Sequence, residues 1–345
     1  QNLLFESVRV LFAKDVMKES RSDPSIANAR RWEKLVPTAL VGPSSALLYG
    51  VVAVSMVFFN KAVLSVYHFT ESNLLLLLQM FVTMTVLLGV QKLGLIKLEP
   101  FTWERTKALL PVALLYNANV AFALASLNKV NVPMYNVLKR LTPALVLFYD
   151  TTFSGKAVSR KVILSVAMTL VGTLVAGYND LAFDLAGYGM AMASSLLQAS
   201  YLIVVQKTGA EKNISSNDLL MYNAVLSIPM LSLVVVLDGE LITGMPKLYE
   251  GAAQWDFVVV MLCCLHLGML LNLSIFMCTL LNNSALTTTI VGVFKGVAAT
   301  LLGFLLLGGV RFVPLNFAGI MINLVGGVWY AIIKYQEKQA NANKL

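Results

Sequence analysis

The chain has 345 residues, of which 58% are hydrophobic and only 13% are charged. Soluble domains carry roughly 25% charged residues, so this composition excludes an ordinary soluble protein and predicts a membrane protein. The net charge of +8 is typical of basic cytosolic loops rather than of nucleic-acid binding. The chain has two histidines, which are far apart in sequence, and three cysteines, which lie within one apolar segment. These residues offer little for a metal site or for histidine-based catalysis.

Apolar runs of spanning length follow one another along most of the chain. A membrane-spanning helix needs ~20 apolar residues. The sequence therefore predicts an all-α, polytopic membrane bundle of ten transmembrane helices within residues 39–336, between a cytosolic tail at 1–38 and another at 337–345. The predicted spans are 41–67, 73–91, 107–127, 133–152, 160–178, 186–206, 217–237, 256–281, 284–308 and 313–335.

The positions of lysine and arginine predict the orientation of these spans. If the N-terminus is cytosolic, the cytosolic segments hold 19 of the 26 basic residues and the opposite side holds 3. Short loops that carry excess Lys and Arg remain in the cytosol. We therefore expect both termini to be cytosolic.

A weak internal repeat relates the two halves of the chain. The third and fourth predicted spans are joined by Leu127–Asn131, and the eighth and ninth by Leu281–Ser284; the helix after each turn carries a lysine, Lys139 or Lys295. This spacing suits two inverted five-helix repeats, 41–178 and 186–335, as in many secondary transporters. Tight hairpins also recur in helical membrane proteins without any repeat, so both interpretations stay open.

Basic residues at bilayer depth are the most informative feature. Lys139, Arg140 and Lys295 lie inside predicted spans, where insertion of Lys or Arg costs ~2.5–3.5 kcal/mol, and no Asp or Glu lies at comparable depth. The simplest missing partner is an anionic ligand such as a nucleotide phosphate. The alternative is snorkelling to the interface, which suits Lys61 at the end of the first span. Lys139 and Arg140 differ by about 100° around the helix, so both need not face one cavity.

Polar side chains gather at similar depth in several spans. Amides offer both a donor and an acceptor to a nucleobase edge, and tyrosine can stack on a base or bond a sugar hydroxyl. A glycine near Lys295 would allow close approach of backbone to ligand. Hydrogen bonding between helices is the alternative for each. The candidate binding residues are Lys139, Lys295, Tyr222, Asn223, Asn117, Tyr135, Asn272, Ser274, Thr288, Gly292, Asn60 and Lys61.

Several sequence blocks resemble the nucleotide-sugar transporters of the drug/metabolite transporter superfamily. The blocks are Phe59-Asn60-Lys61, Val132-Pro133-Met134-Tyr135, Leu138-Lys139-Arg140-Leu141-Thr142, Asp180–Tyr188, Tyr222-Asn223-Ala224 and Asn283–Gly292. Within the superfamily, the sequence resembles the branch that contains UDP-glucuronate, UDP-N-acetylgalactosamine and UDP-N-acetylglucosamine transporters. The resemblance spans roughly residues 45–335.

This resemblance implies a Golgi or endoplasmic reticulum antiporter that imports a UDP-sugar and returns UMP. We also expect a monomer or homodimer in lipid, without cofactor, metal or catalytic residues. Related GDP-mannose carriers have Phe-Tyr-Asn-Asn and Gly-Ala-Leu-Asn-Lys motifs where this chain has Met221–Ala224 and Gly292–Gly296. The second Asn is absent, the lysine is one position early, and Thr288 replaces a tyrosine. These departures argue against guanine and mannose.

Other functions remain as alternatives. A GDP-sugar transporter or a triose-phosphate-type antiporter would use similar cations. A membrane enzyme would need a carboxylate pair or a metal, and the only pair is Asp180 and Asp184 on a short loop. A non-transporting receptor would bind nucleotide without exchanging it.

Overall fold

The computed structural model describes residues 38–127, 129, 135, 138–139, 141–155, 158–177, 184–212, 214–307 and 314–342. This part of the chain contains eleven α-helices and no β-strand. In chain order the helices are α1 Thr38–Lys61, α2 Ser72–Lys92, α3 Trp103–Leu127, α4 Thr142–Thr152, α5 Arg160–Gly177, α6 Leu185–Lys212, α7 Ser216–Leu237, α8 Glu240–Gly251, α9 Trp255–Leu281, α10 Ala285–Leu307 and α11 Pro314–Ala342.

Six of these helices, α1, α2, α3, α6, α7 and α9, are long and apolar enough to cross a membrane. The prediction of an all-α polytopic membrane protein is therefore confirmed. The count of ten spans and their arrangement as inverted repeats stay predictions. Almost the whole cytosolic tail predicted at residues 1–38 lies outside the described residues.

Helix α8 was not predicted from the sequence, because it lies between the predicted spans 217–237 and 256–281. A search for long apolar runs passes over a helix of 12 residues that carries glutamate, lysine and proline. The helix follows Gly239, whose φ of 71° lies in the left-handed region that glycine adopts without strain. Asp238 and Gly239 therefore separate α8 from the end of α7 at Leu237.

The long helices pack as pairs that are distant in sequence. Helix α3 lies against α6, α1 against α9, α2 against α7, and α5 against α11. Helix α10 contacts α1, α4, α6 and α11. The middle of the bundle is therefore formed where α3, α4 and α6 approach α1, α9 and α10.

The two ends of the bundle are tied by matching polar contacts. At the end where α2, α6 and α9 begin, here named the Lys247 face, the Lys247 ammonium on α8 lies 2.7 Å from the buried Glu71 carboxylate. At the end where α3, α7 and α10 begin, here named the Arg105 face, Asp218 accepts a hydrogen bond from the Glu99 amide (3.0 Å) and lies 4.0 Å from Arg105. Each contact joins a connecting segment to the first turn of α2 or α7.

Removing the Lys247 ammonium is expected to destabilise the fold, because the buried Glu71 carboxylate would lose its cationic partner. Lys247→Met should cost about 1–3 kcal/mol, less than for a fully buried pair because 40% of the lysine side chain is exposed. The measurement is thermal unfolding in detergent, in which the apparent Tm should fall by roughly 1–5 °C. The double variant Glu71→Gln/Lys247→Met is the control and should recover most of the loss; an unchanged Tm for Lys247→Met would contradict the assignment.

The same ion pair makes stability depend on pH. Burial alone raises the pKa of Glu71, but the hydrogen bond from Lys247 and backbone hydrogen bonding outweigh it and hold the pKa below its ordinary value of 4.5. A carboxyl with a lowered pKa contributes its full stability above the ordinary value and loses it as the pH falls through the lowered one. Glu71→Gln should remove this acid sensitivity.

Candidate functional site

Lys139 lies just before α4, and its ammonium is held by neutral oxygens. It donates to Asn119 Oδ1 on α3 (2.7 Å), and to Gln198 Oε1 (3.0 Å) and the Ser194 carbonyl (3.3 Å) on α6. The ring of Tyr135 lies 5.9 Å from the ammonium nitrogen. Asn119 and Gln198 lie near the middle of long helices, so the charge is placed at bilayer depth without a carboxylate among these partners.

Lys295 lies at the middle of α10 and is half-buried. Its ammonium forms no hydrogen bond or ion pair with any residue that the structure describes. It is close enough to Lys139 for the two charges to repel each other. Two adjacent cations that lack a carboxylate partner within the described chain favour an anion between them.

Tyrosines and an amide form a second layer beside the lysines. The rings of Tyr116 on α3 and Tyr201 on α6 lie 5.7 Å apart, and Asn272 on α9 approaches the Tyr116 hydroxyl at 3.5 Å. The Tyr201 hydroxyl is buried and has no hydrogen-bond partner among the described residues. A ligand could supply that partner.

The two layers are adjacent because of helix periodicity. Tyr116 precedes Asn119 by three residues on α3, and Tyr201 follows Gln198 by three residues on α6. Residues three apart lie on one side of a helix, about 4.5 Å apart along the axis. The cationic layer and the tyrosine layer therefore face the same interior space.

Gly292 lies one turn before Lys295 and allows α10 to approach α1 closely. A Cβ atom at Gly292 would lie 3.4 Å from the Tyr49 hydroxyl. Tyr49 is 97% buried and also lies near Tyr201. Tyr49 on α1 therefore lies beside the tyrosine layer formed by α3 and α6.

The structure brings five of the predicted residues to this space: Lys139, Lys295, Tyr135, Asn272 and Gly292. Three residues of this region were not predicted from the sequence: Tyr49, Tyr201 and Gln198. Tyr116 and Asn119 belong to the polar side chains predicted at this depth, although they are not among the candidate binding residues. The spacing of Ser194, Gln198 and Tyr201 on one side of α6 is the signal that could have found part of this set.

Tyr222 has a different environment, near the start of α7 at the Arg105 face. Its ring stacks on Phe101 at 4.2 Å, and its hydroxyl accepts a hydrogen bond from the Thr102 amide (3.1 Å). These contacts hold the connection between α2 and α3. No described contact links Tyr222 to the two lysines.

A separate polar region lies between α7 and α3, and it includes Asn223 on α7 and Asn117 on α3. Both side-chain amide atoms of Asn223 are buried and lack hydrogen-bond partners within the described chain. Asn117 Nδ2 donates to Ser227 Oγ (2.8 Å), one turn along α7 from Asn223. A polar ligand or ordered water beside Asn223 would satisfy its amide.

The other candidates make local or interhelical bonds. Thr288 is hydrogen-bonded to Thr279 (2.9 Å), and the Ser274 hydroxyl donates to the Leu271 carbonyl (2.8 Å). Asn60 Oδ1 accepts from the Cys264 thiol (3.2 Å). Arg140, residues 130–134 and 180–183, and the side chain of Lys61 lie outside the described residues.

Comparison with known proteins yields one family match and clear relatives. A family model described as "Triose-phosphate Transporter family" matches residues 44–331. "UDP-galactose/UDP-glucose transporter 7" of Arabidopsis thaliana is 42% identical over 312 residues, which are 90% of this chain and 96% of that protein. "UDP-N-acetylglucosamine transporter UGNT1" of Arabidopsis thaliana is 34% identical over 85% of this chain and 88% of that protein.

A solved crystal structure shares the fold. It has a TM-score of 0.60 and covers 84% of this chain and 99% of its own, with 12% sequence identity. At that identity the likeness concerns the fold alone.

Proposed function

Because this chain belongs to the triose-phosphate transporter family and is a nucleotide-sugar transporter of the drug/metabolite transporter superfamily, not an enzyme, we propose that it exchanges a UDP-sugar for UMP across the Golgi or endoplasmic reticulum membrane. The observation that carries the proposal is the pair Lys139 and Lys295, two neighbouring cations beside the tyrosine layer. In this proposal the pair binds phosphate and the tyrosine layer binds the neutral part of the substrate.

The negative charge of the phosphate groups matches the charge of the two lysines. The diphosphate of a UDP-sugar and the monophosphate of UMP each carry about two negative charges near neutral pH. Either ligand would neutralise both ammonium groups and relieve their repulsion. The Lys139 ammonium can leave the carbonyl and amide oxygens around it for phosphate oxygens, since ionic hydrogen bonds are roughly twice as strong as neutral ones.

The tyrosine layer suits the uridine or the sugar. Tyr116 and Tyr201 offer aromatic faces and hydroxyls, and Asn272 offers both a donor and an acceptor. The unpartnered Tyr201 hydroxyl can bond a ribose or hexose hydroxyl. From the named activity of the 42% identical relative, UDP-glucose and UDP-galactose are the first substrates to test. UDP-N-acetylglucosamine is the next substrate to test, because the 34% identical relative is named for it. UDP-N-acetylgalactosamine and UDP-glucuronate, which the sequence resemblance predicts, come after it.

Ten spans in two inverted repeats are part of this proposal. If α1–α5 correspond to α6, α7, α9, α10 and α11, the contact of α3 with α6 corresponds to that of α9 with α1. The contact of α4 with α6 corresponds to that of α10 with α1, and that of α3 with α7 to that of α9 with α2. The pairs α2–α7, α4–α10 and α5–α11 correspond to themselves. A two-fold axis in the membrane plane would produce this pattern, with α8 as an insertion.

Alternating access follows from that arrangement. The lysines lie near the middle of the bundle, so rocking of one repeat against the other would expose them to each side in turn. An empty carrier would move two unneutralised cations through the closed state, which is costly in low dielectric. A carrier returning with UMP avoids this cost, which favours exchange over uniport. By the distribution of basic residues, the Arg105 face is cytosolic and the Lys247 face is lumenal.

The test is counterflow in proteoliposomes that contain the purified protein. Vesicles preloaded with UMP should take up labelled UDP-glucose or UDP-galactose severalfold faster than empty vesicles. Vesicles preloaded with GMP or 3-phosphoglycerate are the controls and should behave like empty ones. Stimulation by GMP or by 3-phosphoglycerate, without stimulation by UMP, would replace the proposal with a GDP-sugar or a triose-phosphate-type carrier. Binding without any counterflow would indicate a receptor.

A further inference from the structure

We propose that α8 is an interfacial helix that lies in the headgroup region of the bilayer at the Lys247 face, with one apolar side inserted at the boundary of the acyl chains. The partner is the lipid surface itself. This anchor would hold the connection between α7 and α9, and through Glu71 the start of α2. The inference goes beyond substrate exchange and depends only on the membrane-spanning helices.

The apolar side of α8 is exposed. Leu241, Ile242, Met245 and Tyr249 are exposed, Ile242 and Tyr249 by 80% or more. With 100° between successive residues, these four positions lie within a sector about 100° wide. Large apolar groups concentrated on one exposed side of a short helix indicate a membrane or protein contact.

A second side of α8, next to the apolar one, is docked on the bundle. Gly244 is buried, and a Cβ atom there would overlap Leu74 at the start of α2. Lys247 pairs with Glu71, and Leu248 packs against the core. Thr243 and Glu250 are exposed and occupy a third sector that is polar, and the Thr243 side chain is also hydrogen-bonded to Glu71. Docked, apolar and polar sectors in this order suit a helix that lies between protein, lipid and water.

The exposed apolar side continues the surface of the neighbouring spans. In the last turns of α7 the exposed apolar residues are Leu233, Val236 and Leu237. In the first two turns of α9 they are Trp255 and Val259. Both helices are long and apolar enough to cross a membrane. Trp255 and Tyr249 lie at the ends of their helices near this face, where aromatic side chains concentrate at membrane interfaces.

The charges of α8 favour insertion of apolar groups over attraction to anionic lipid. Its one lysine, Lys247, is engaged by Glu71. Glu240 accepts hydrogen bonds from the Leu74 amide (2.7 Å) and from Asn73 (3.0 Å). Glu250 is exposed, so the free charge that faces the headgroups is negative. Contact with lipid should therefore not require anionic headgroups.

The experiment measures the depth of spin labels in phosphatidylcholine vesicles. Single cysteines replace Ile242, Tyr249, Thr243 and Glu250 in turn, after the native Cys263, Cys264 and Cys278 are changed to alanine. Counterflow in the same vesicles checks folding. If the cysteine-free background is inactive, the single cysteines are introduced into the chain that keeps its native cysteines, and the signal of the identically labelled wild-type chain is subtracted as background.

Labels at 242 and 249 are expected to collide more with oxygen than with a water-soluble nickel chelate, at least twofold relative to the polar-sector controls at 243 and 250. Addition of phosphatidylserine should leave this ratio unchanged. Free access of nickel to 242 and 249 would overturn the proposal. So would protection from both reagents, which would indicate a second copy of the chain or another protein on this side. A dependence on phosphatidylserine would overturn the apolar mode of contact.

Discussion

Lys295→Ala is expected to abolish exchange of UDP-sugar for UMP while the protein stays folded. The Lys295 ammonium has no partner among the described residues, so its removal leaves no buried group unsatisfied there. In this variant, a phosphate bound between Lys139 and Lys295 would lose one of its two cationic partners. Truncation of one partner of a buried charge pair costs about 2–5 kcal/mol, which corresponds to a loss of roughly 30-fold or more in binding of the substrate.

Stability measurements separate a binding role of Lys295 from a structural one. Lys295→Met keeps the length of the side chain and removes a desolvated charge that repels Lys139, so the Tm of the empty protein should rise or stay constant. The stabilisation by UMP, which depends on affinity, should disappear. Lys92→Ala removes an exposed lysine at the end of α2 and is the matched control, with normal exchange and normal stabilisation by UMP. Wild-type exchange rates in Lys295→Ala would contradict the assignment.

Gly172→Ala is expected to have the largest effect on folding. Helices α5 and α11 meet so closely that a Cβ atom at Gly172 would lie 2.5 Å from the Asn323 backbone nitrogen and 2.7 Å from the Gly319 carbonyl oxygen. These are backbone atoms, which cannot avoid the added methyl group by a change of rotamer as a flexible side chain could. The helices would have to separate, and Asn323 would lose its hydrogen bonds to the Thr169 carbonyl (2.9 Å) and Thr173 hydroxyl (3.0 Å).

The expected destabilisation is at or above the range for overpacking, about 1–3 kcal/mol, which for a chain of this length lowers the apparent Tm by roughly 1–5 °C. Gly89→Ala is the matched control, since Gly89 is also helical and a Cβ atom there meets nothing within 4 Å. That variant should be neutral or slightly more stable, because alanine favours helix by up to about 1 kcal/mol over glycine. Equal Tm values for the two variants would show that α5 and α11 are not in close contact.

The sequence by itself determined the class of the protein and the two central charges. Ten apolar segments could be recognised because hydropathy acts along one helix at a time and needs no knowledge of its neighbours. Lys139 and Lys295 could be selected because a cation inside an apolar segment is costly wherever the segment packs. The resemblance to nucleotide-sugar transporters, carried by residues such as Asn283–Gly292, is confirmed by the family match and the relatives.

Only the tertiary structure decided which polar side chains face the lysines. Tyr222 and Tyr201 both lie in helices that are long and apolar enough to cross a membrane. Tyr222 nevertheless stacks on Phe101 near one end of the bundle, whereas Tyr201 reaches the central layer. A helix that is apolar on all sides has no periodicity to indicate its inward face. Its packing against helices that are distant in sequence therefore decides which of its side chains face the interior. The same holds for α8, since the side of that short helix left free for lipid is defined by where Gly244 and Lys247 dock.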